Sequence, residues 1–314
     1  MDFVIAVLGL VILVLAGDML VRGAVNVSLR LGVPALIVSL TIVALGTSAP
    51  ELLVSISAVI EGAPGIAVGN VVGSNIANVL LVLGLPAMLV GLNTTTCNTK
   101  ISYMQMIVAT MLFILIAFLQ PITWVHGLVL LGFFAITLGH AGLTAVRHRR
   151  DDRLEEFEDV ESADPNMPWW RIFVFLLLGL IGLPLGAKLL VDSASDIART
   201  FSISETIIGL TLVAIGTSLP ELATTVSAAY RRQADVALGN VIGSNIANLL
   251  AIIGISTFFG DIPVSQHVMS WDIWVMAASS AVLFPFIFLK MNMTRTWGTI
   301  LTGLYVVYVI QMLV

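Results

Sequence analysis

The chain has 314 residues, of which 58% are apolar and 11% charged, with 14 basic against 19 acidic residues and a formal net charge of −5. A soluble domain carries about 25% charged residues, whereas the apolar residues here run from end to end at a mean hydropathy of +1.04. That excludes a soluble enzyme, a nucleic-acid binder and a peripheral protein with one anchor; the solvent for most of this chain is lipid.

A spanning helix needs about 20 mostly apolar residues. The first candidate, near 2–20, has no basic segment before it and carries the acidic Asp2, so it reads as a retained span and not a cleaved signal. Further candidates follow near 33–60, 67–91, 101–119, 122–146, 171–191, 203–230, 236–258, 270–289 and 296–313, ten in all. The stretch 101–146 is too long for one span and divides at Gln120-Pro121. Other breaks are turn-like or charged, such as Asn93-Thr94-Thr95-Thr96 and Arg231-Arg232-Gln233. Cys97 is alone, so neither an intrachain disulfide nor a Cys-based metal site is available.

Charge sets the orientation. Arg147 to Asp164 holds four basic and eight acidic residues, and 147–170 reads as a solvated acidic linker between two halves, 1–146 and 171–314. With ten spans, one side of the membrane receives twelve Lys and Arg residues and the other only Lys188 and Arg199. The positive-inside rule then places the linker in the cytoplasm and both termini outside, in a plasma or inner membrane.

The sequence repeats itself at a shift of 170. Val43 to Glu51 (VALGTSAPE) lies over Val213 to Glu221 (VAIGTSLPE), and Gly69 to Asn78 (GNVVGSNIAN) over Gly239 to Asn248 (GNVIGSNIAN), with no gap between the blocks. The register continues back to Leu20 over Leu190. Five spans per half make the repeat inverted, the architecture of secondary transporters whose site lies at the midplane.

Glu51 and Glu221 stand in the middle of long apolar runs at equivalent positions. An ionised carboxylate there costs several kcal/mol unless neutralised, and neither span offers a mid-depth Lys or Arg. A mobile cation or a proton is the partner. Pro50 and Pro220 remove a helical N–H, and Gly46 and Gly216 weaken the turn before them, so both helices should break at the midplane. Thr47 and Ser48 are placed to cap the second half-helix, with carbonyls around Ala44 to Thr47 freed toward a cavity. Gly216, Thr217 and Ser218 repeat the device.

The second block adds oxygens. Ser74 and Asn78 are four apart and share a helix face, as do Ser244 and Asn248. Gly69 and Gly73, and Gly239 and Gly243, form GxxxG patterns for close packing. An all-oxygen set suits hard cations such as Ca2+ and Na+; softer metals would want His or Cys, absent from both blocks. His126 and His140 in the fifth span read as satisfied buried side chains.

These doubled GTS-x-PE and GSNIAN elements resemble the alpha-repeats of the cation/Ca2+ exchanger superfamily, and ten spans with outward termini suit its prokaryotic Na+/Ca2+ exchanger branch. The resemblance implies an all-α polytopic protein of ten transmembrane helices in two inverted five-helix repeats, with broken helices at the midplane. It implies Ca2+ between Glu51 and Glu221 with the carbonyls of Thr47 and Thr217. An outer Na+ site would use Glu51, Ser74, the Ala214 carbonyl and Ser218. An inner one would use Glu221, the Ala44 carbonyl, Ser48 and Ser244. Asn78 and Asn248 would flank the centre, where some members carry an Asp; the site here has two acids and no third. Eukaryotic relatives place calcium-sensing domains between the halves, and 24 residues cannot fold into one.

The function expected is an electrogenic Ca2+/Na+ antiporter, with a Ca2+/H+ or other cation exchanger as the alternative. A channel would be built around a shared axial pore. An intramembrane protease would need HExxH or GxGD, and neither occurs: Gly17-Asp18 follows Leu15-Ala16. Ca2+ and Na+ are then substrates and not resident cofactors, and the bilayer is the surroundings. Neither a nucleic acid nor an obligatory protein partner is expected.

Overall fold

A computed structural model describes residues 2–119, 121–150, 164, 166–200 and 214–313. In chain order the helices are α1 (Asp2–Leu31), α2 (Ala35–Thr47), α3 (Ala49–Ile60), α4 (Pro64–Val90), α5 (Lys100–Phe118) and α6 (Trp124–Arg150). There follow α7 (Trp169–Thr200), α8 (Ala214–Thr217), α9 (Leu219–Tyr230), α10 (Ala234–Ser256), α11 (Val268–Phe288) and α12 (Arg295–Leu313). The described residues form no strand ladder; two isolated bridges, Leu92 to Met293 and Ile122 to Ile262, tie loops together.

Seven of these helices are long and apolar enough to cross a membrane, and up to eight if α2 and α3, bent by 43° at their junction, count as one broken span. Of the ten expected spans, 203–230 lies partly outside the described residues, and 296–313 is the 19-residue helix α12. The first and sixth expected spans are longer than the apolar pattern indicated: α1 has 30 residues, and α7 has 32 despite Pro184 inside it. Each extends about 45 Å or more, beyond a hydrocarbon core of about 30 Å.

The two long helices lie antiparallel. A Cβ at Gly9 would stand 2.7 Å from the Leu190 amide nitrogen, and one at Gly179 would stand 2.6 Å from the Leu20 Cβ. Only glycine permits that approach, and Leu13, Ala16, Leu20, Leu183 and Ala187 complete the buried seam. The larger core surrounds α4, α5, α10 and α11, and the apolar window of α10 is buried in full. Large apolar side chains such as Phe3, Leu53, Leu115 and Phe173 are exposed on the perimeter, as lipid solvation allows.

Several helices carry π-helical turns: Ser39–Val43, Asn78–Val82, Ala247–Ile252 and Val268–Asp272. The second and third occupy equivalent repeat positions and begin at or beside the motif asparagines. Such bulges gather at functional sites because they re-aim side chains and release a carbonyl.

Candidate cation site

The two broken helices supply the acids. In the first, the chain turns at Ser48 (φ −82°, ψ 7°), with Pro50 in the first turn of α3 and Glu51 beside it. Ser218 (φ −88°, ψ 4°), Pro220 and Glu221 repeat this at the start of α9. A carboxylate in the first turn is favoured by the helix dipole. Glu51 and Glu221 are each 1% exposed, and they are close enough to interact electrostatically.

The expected caps are not made. Neither Ser48 nor Ser218 bonds its own helix through the side chain. Ser48 Oγ instead donates to Glu221 Oε1 at 3.0 Å, from one repeat to the other. Thr47 Oγ1 lies 3.3 Å from the Ala44 carbonyl and 3.4 Å from Asn240 Oδ1. The Ala44 carbonyl is likewise not free: it also accepts the Ser48 amide at 3.0 Å. A hydroxyl buried at the contact between halves gains more from a charged acceptor than from a backbone amide that the next turn already satisfies.

Of the remaining expected residues, Ser48 bonds Glu221 directly and Thr47 reaches Asn240. Thr47, Ser48, Ser74, Asn78, Ser218, Ser244 and Asn248 are all buried, as is Ala44. Thr217 is half-buried, and Ala214 opens the short helix that precedes the break. Among the described residues, ten buried side-chain nitrogen and oxygen atoms have no hydrogen-bond partner; seven belong to this set, namely Glu51 Oε2, Glu221 Oε2, Asn78 Oδ1, Ser218 Oγ, Ser244 Oγ and both amide atoms of Asn248. Each such group costs about 1–3 kcal/mol, more if charged, unless a ligand supplies the missing interaction. Apart from the Asn248 amide nitrogen, these atoms are oxygens able to face a hard cation. Among the described residues no group of three or more His, Cys, Asp or Glu side chains gathers.

Four asparagines join the site that motif reading passed over. Asn240 Nδ2 donates to the Glu221 carbonyl at 3.3 Å and to Thr225 Oγ1 at 3.1 Å. Asn70 does the same in the first half, to the Glu51 carbonyl at 3.2 Å and Ser55 Oγ at 3.1 Å. Asn78 Nδ2 donates to Asn245 Oδ1 at 3.0 Å, and Asn245 Nδ2 to the Asn75 carbonyl at 3.4 Å. Their equal places in the repeated blocks were the available signal.

The glycine pairs behave differently from one another. A Cβ at Gly243 would lie 2.6 Å from the Leu40 carbonyl oxygen, and one at Gly239 2.8 Å from the Ser39 Cβ, so α10 does press its backbone against α2. Ser39 Oγ seals that contact by donating to the Val236 carbonyl at 2.7 Å. At Gly69 and Gly73 nothing among the described residues lies within 4 Å; the segment that the repeat sets against them, 206–213, lies outside those residues. The histidines are peripheral. His126 Nδ1 accepts the Thr123 amide at 3.1 Å, and His140 is exposed on the perimeter, not buried.

The sequence profile described as "Sodium/calcium exchanger protein" matches residues 1–142 and 171–314. The chain is 34% identical over 342 aligned residues to the sodium/calcium exchanger MaX1 of Methanosarcina acetivorans, covering 98% of this chain and 97% of that protein. It is 31% identical over 308 residues to the inner membrane protein YrbG of Escherichia coli, covering 96% and 94%. The solved structure of the sodium-calcium exchanger NCX_Mj soaked with 2.5 mM Na+ and 1 mM Sr2+ matches at a TM-score of 0.83 and 32% identity, over 98% of this chain and 97% of that one. With the profile covering all but residues 143–170, this integral membrane protein belongs to the sodium/calcium exchanger family.

Proposed function

We infer that the protein is a secondary antiporter that exchanges Ca2+ for Na+ by alternating access. The observation that carries this reading is the set of unpartnered buried oxygens on Glu51, Glu221 and the serines and asparagines of the repeated motifs. Ca2+ sits between the two carboxylates with the carbonyls of Thr47 and Thr217. Na+ takes an outer place at Glu51, Ser74, the Ala214 carbonyl and Ser218, and an inner place at Glu221, Ser48, Ser244 and the Ala44 carbonyl. To use that last oxygen, an ion displaces the Thr47 hydroxyl. Asn78 and Asn248 flank the centre.

The chain consists of ten spans in two inverted halves, 1–146 and 171–314, with the 147–170 linker in the cytoplasm and the termini outside. The antiparallel α1 and α7 support this, because their close contacts exchange under the repeat: Gly9 meets Leu190 as Gly179 meets Leu20.

Exchange follows from charge. Carrying two unpaired carboxylates through an occluded state costs several kcal/mol, so only a loaded site crosses. One Ca2+ or two Na+ neutralises the pair equally. A third Na+ moves one net charge per cycle, worth about 2.3 kcal/mol at 100 mV, and makes the exchange electrogenic.

The test is Ca2+ uptake into proteoliposomes under Na+, K+ or pH gradients imposed one at a time. A Na+ gradient should drive uptake, and an inside-positive potential should speed Ca2+ entry into Na+-loaded, outside-out vesicles. Glu51→Gln or Glu221→Gln should abolish it in a folded protein. Uptake driven by a pH gradient alone would replace this reading with Ca2+/H+ exchange, and flux without any counter-ion would replace it with a channel.

A further inference from the structure

Asp18 on α1 is paired with Arg231, which closes the end of α9; Arg231 contacts the Asp18 carboxylate through both Nε and its terminal nitrogen. Arg22, one turn along α1, holds the other Asp18 oxygen at 3.0 Å. This cluster ties α1 to α9 where the two helices pack: a Cβ at Gly17 would stand 2.8 Å from the Ala223 carbonyl and 3.0 Å from Ser227 Oγ.

Under the shift of 170, Asp18 corresponds to Lys188 on α7 and Arg231 to Glu61 at the end of α3. The equivalent pair therefore keeps opposite charges with the signs exchanged. The backbone agrees that the two helix ends are counterparts, since each is followed by a left-handed residue, Gly62 at φ 77° and Arg232 at φ 56°. Chance would more often leave a like-charged or neutral pair.

Only one of the two contacts is made. Lys188 and Glu61 are exposed and form no ion pair among the described residues, whereas the Arg231 side chain in the made contact is 16% exposed. The packing differs in the same sense. Leu53, the counterpart of Ala223, is 66% exposed, and Ser57, the counterpart of Ser227, is exposed, while Ala223 and Ser227 are half-buried. So α1 rests on α9, and the face of α3 that should receive α7 stands open. Along the antiparallel seam Lys188 stands level with Gly9 and Asp18 lies between the levels of Gly182 and Gly179. About nine residues, roughly 14 Å of helix, separate the two charges along the axis.

We propose that Asp18–Arg231 and Lys188–Glu61 are the two latches of the alternating cycle, one on each side of the membrane midplane, and that the α1–α7 pair closes one as it opens the other. This rests on the alternating-access reading above. The structure is the state in which the Asp18–Arg231 face is shut and the Lys188–Glu61 face is open. Reversing the charges between halves preserves each attraction while preventing the wrong pairing: Asp18 meeting Glu61, or Lys188 meeting Arg231, would be repulsive.

Disulfide trapping tests this in the full-length protein with Cys97→Ala as background. Asp18→Cys/Arg231→Cys and Lys188→Cys/Glu61→Cys are oxidised separately in proteoliposomes, and all four substitutions are then combined. Each pair should cross-link and stop exchange reversibly, and a molecule holding one cross-link should not form the other. Both disulfides together in one molecule, or no Lys188–Glu61 cross-link under any Na+ or Ca2+ condition, would overturn the proposal. Charge provides the second arm. Glu61→Lys should shift the ratio of apparent Na+ to Ca2+ affinity by up to about fivefold, the reach of a partly exposed ion pair, and Glu61→Lys/Lys188→Glu should restore it. Active exchange that is indifferent to both substitutions would remove the latch while leaving the antiporter reading intact; wild-type protein without exchange would remove the antiporter reading instead.

Discussion

Ser48 donates a hydrogen bond through its hydroxyl to Glu221 Oε1 at 3.0 Å, while Ser218, its counterpart in the repeat, has no partner for its own hydroxyl. Two copies of one motif thus sit in unequal surroundings. A neutral donor on a carboxylate is worth about 1.5–3 kcal/mol. Ser48 belongs to the inner Na+ place, so Ser48→Ala should raise the Na+ concentration for half-maximal exchange about tenfold or more. Equal effects of Ser48→Ala and Ser218→Ala would mean that the asymmetry is not kept during turnover.

Asn240 joins three parts of the site: the Glu221 carbonyl, the Thr225 hydroxyl and, through its own oxygen, Thr47 of the other half. Asn240→Ala strands these groups in a fully buried position, at roughly 1–3 kcal/mol for each left unsatisfied. Lower thermal stability in detergent is expected, with a larger loss than for Asn70→Ala, whose site is only partly buried. Asn240→Asp keeps the acceptor for Thr47 but places a third acid next to the pair, and should impair exchange more than folding.

Gly243 lies where a Cβ would stand 2.6 Å from a backbone oxygen and 2.7 Å from the Ala44 Cβ, neither of which can swing aside. Gly243→Ala should push α10 away from α2 and lower both the yield of folded protein and its exchange rate. Gly303→Ala is the control, since nothing lies within 4 Å of that position and the residue is exposed. Folding yield by size-exclusion chromatography checks both; normal behaviour of Gly243→Ala would show that the seam can relax.

Twelve Lys and Arg residues on one side predict a cytoplasmic 147–170 linker. A protease site placed there should be cut in inside-out vesicles and spared in intact cells. Cutting from outside would reject the orientation and the ten-span count on which it depends.

Cys97 is 6% exposed, and burial first, then the neighbouring Asp235, hold its thiol well above the ordinary range. The thiolate is the reactive form, so maleimide should fail to modify Cys97 in the native protein at neutral pH and succeed after denaturation. Rapid native labelling would show that the loop carrying Cys97 opens readily.

Composition and the shift of 170 determined by themselves the membrane class, the all-helical fold, the break before each buried acid and the two acids. These follow from local physics: apolar length, the missing proline N–H and the cost of a carboxylate in lipid are properties of short segments. Which groups those segments meet was decided only by the tertiary structure. A motif places Ser48 at a helix start, where a cap is the local optimum; packing the halves together brings Glu221 to it, and the charged acceptor wins. The same holds for Asn240, whose role depends on the Thr47 hydroxyl reaching it from 193 residues away. Two related halves cannot reveal that the Asp18–Arg231 pair is made while Lys188 and Glu61 stand exposed. That difference belongs to the arrangement of whole helices, and a pseudo-symmetric sequence permits either one.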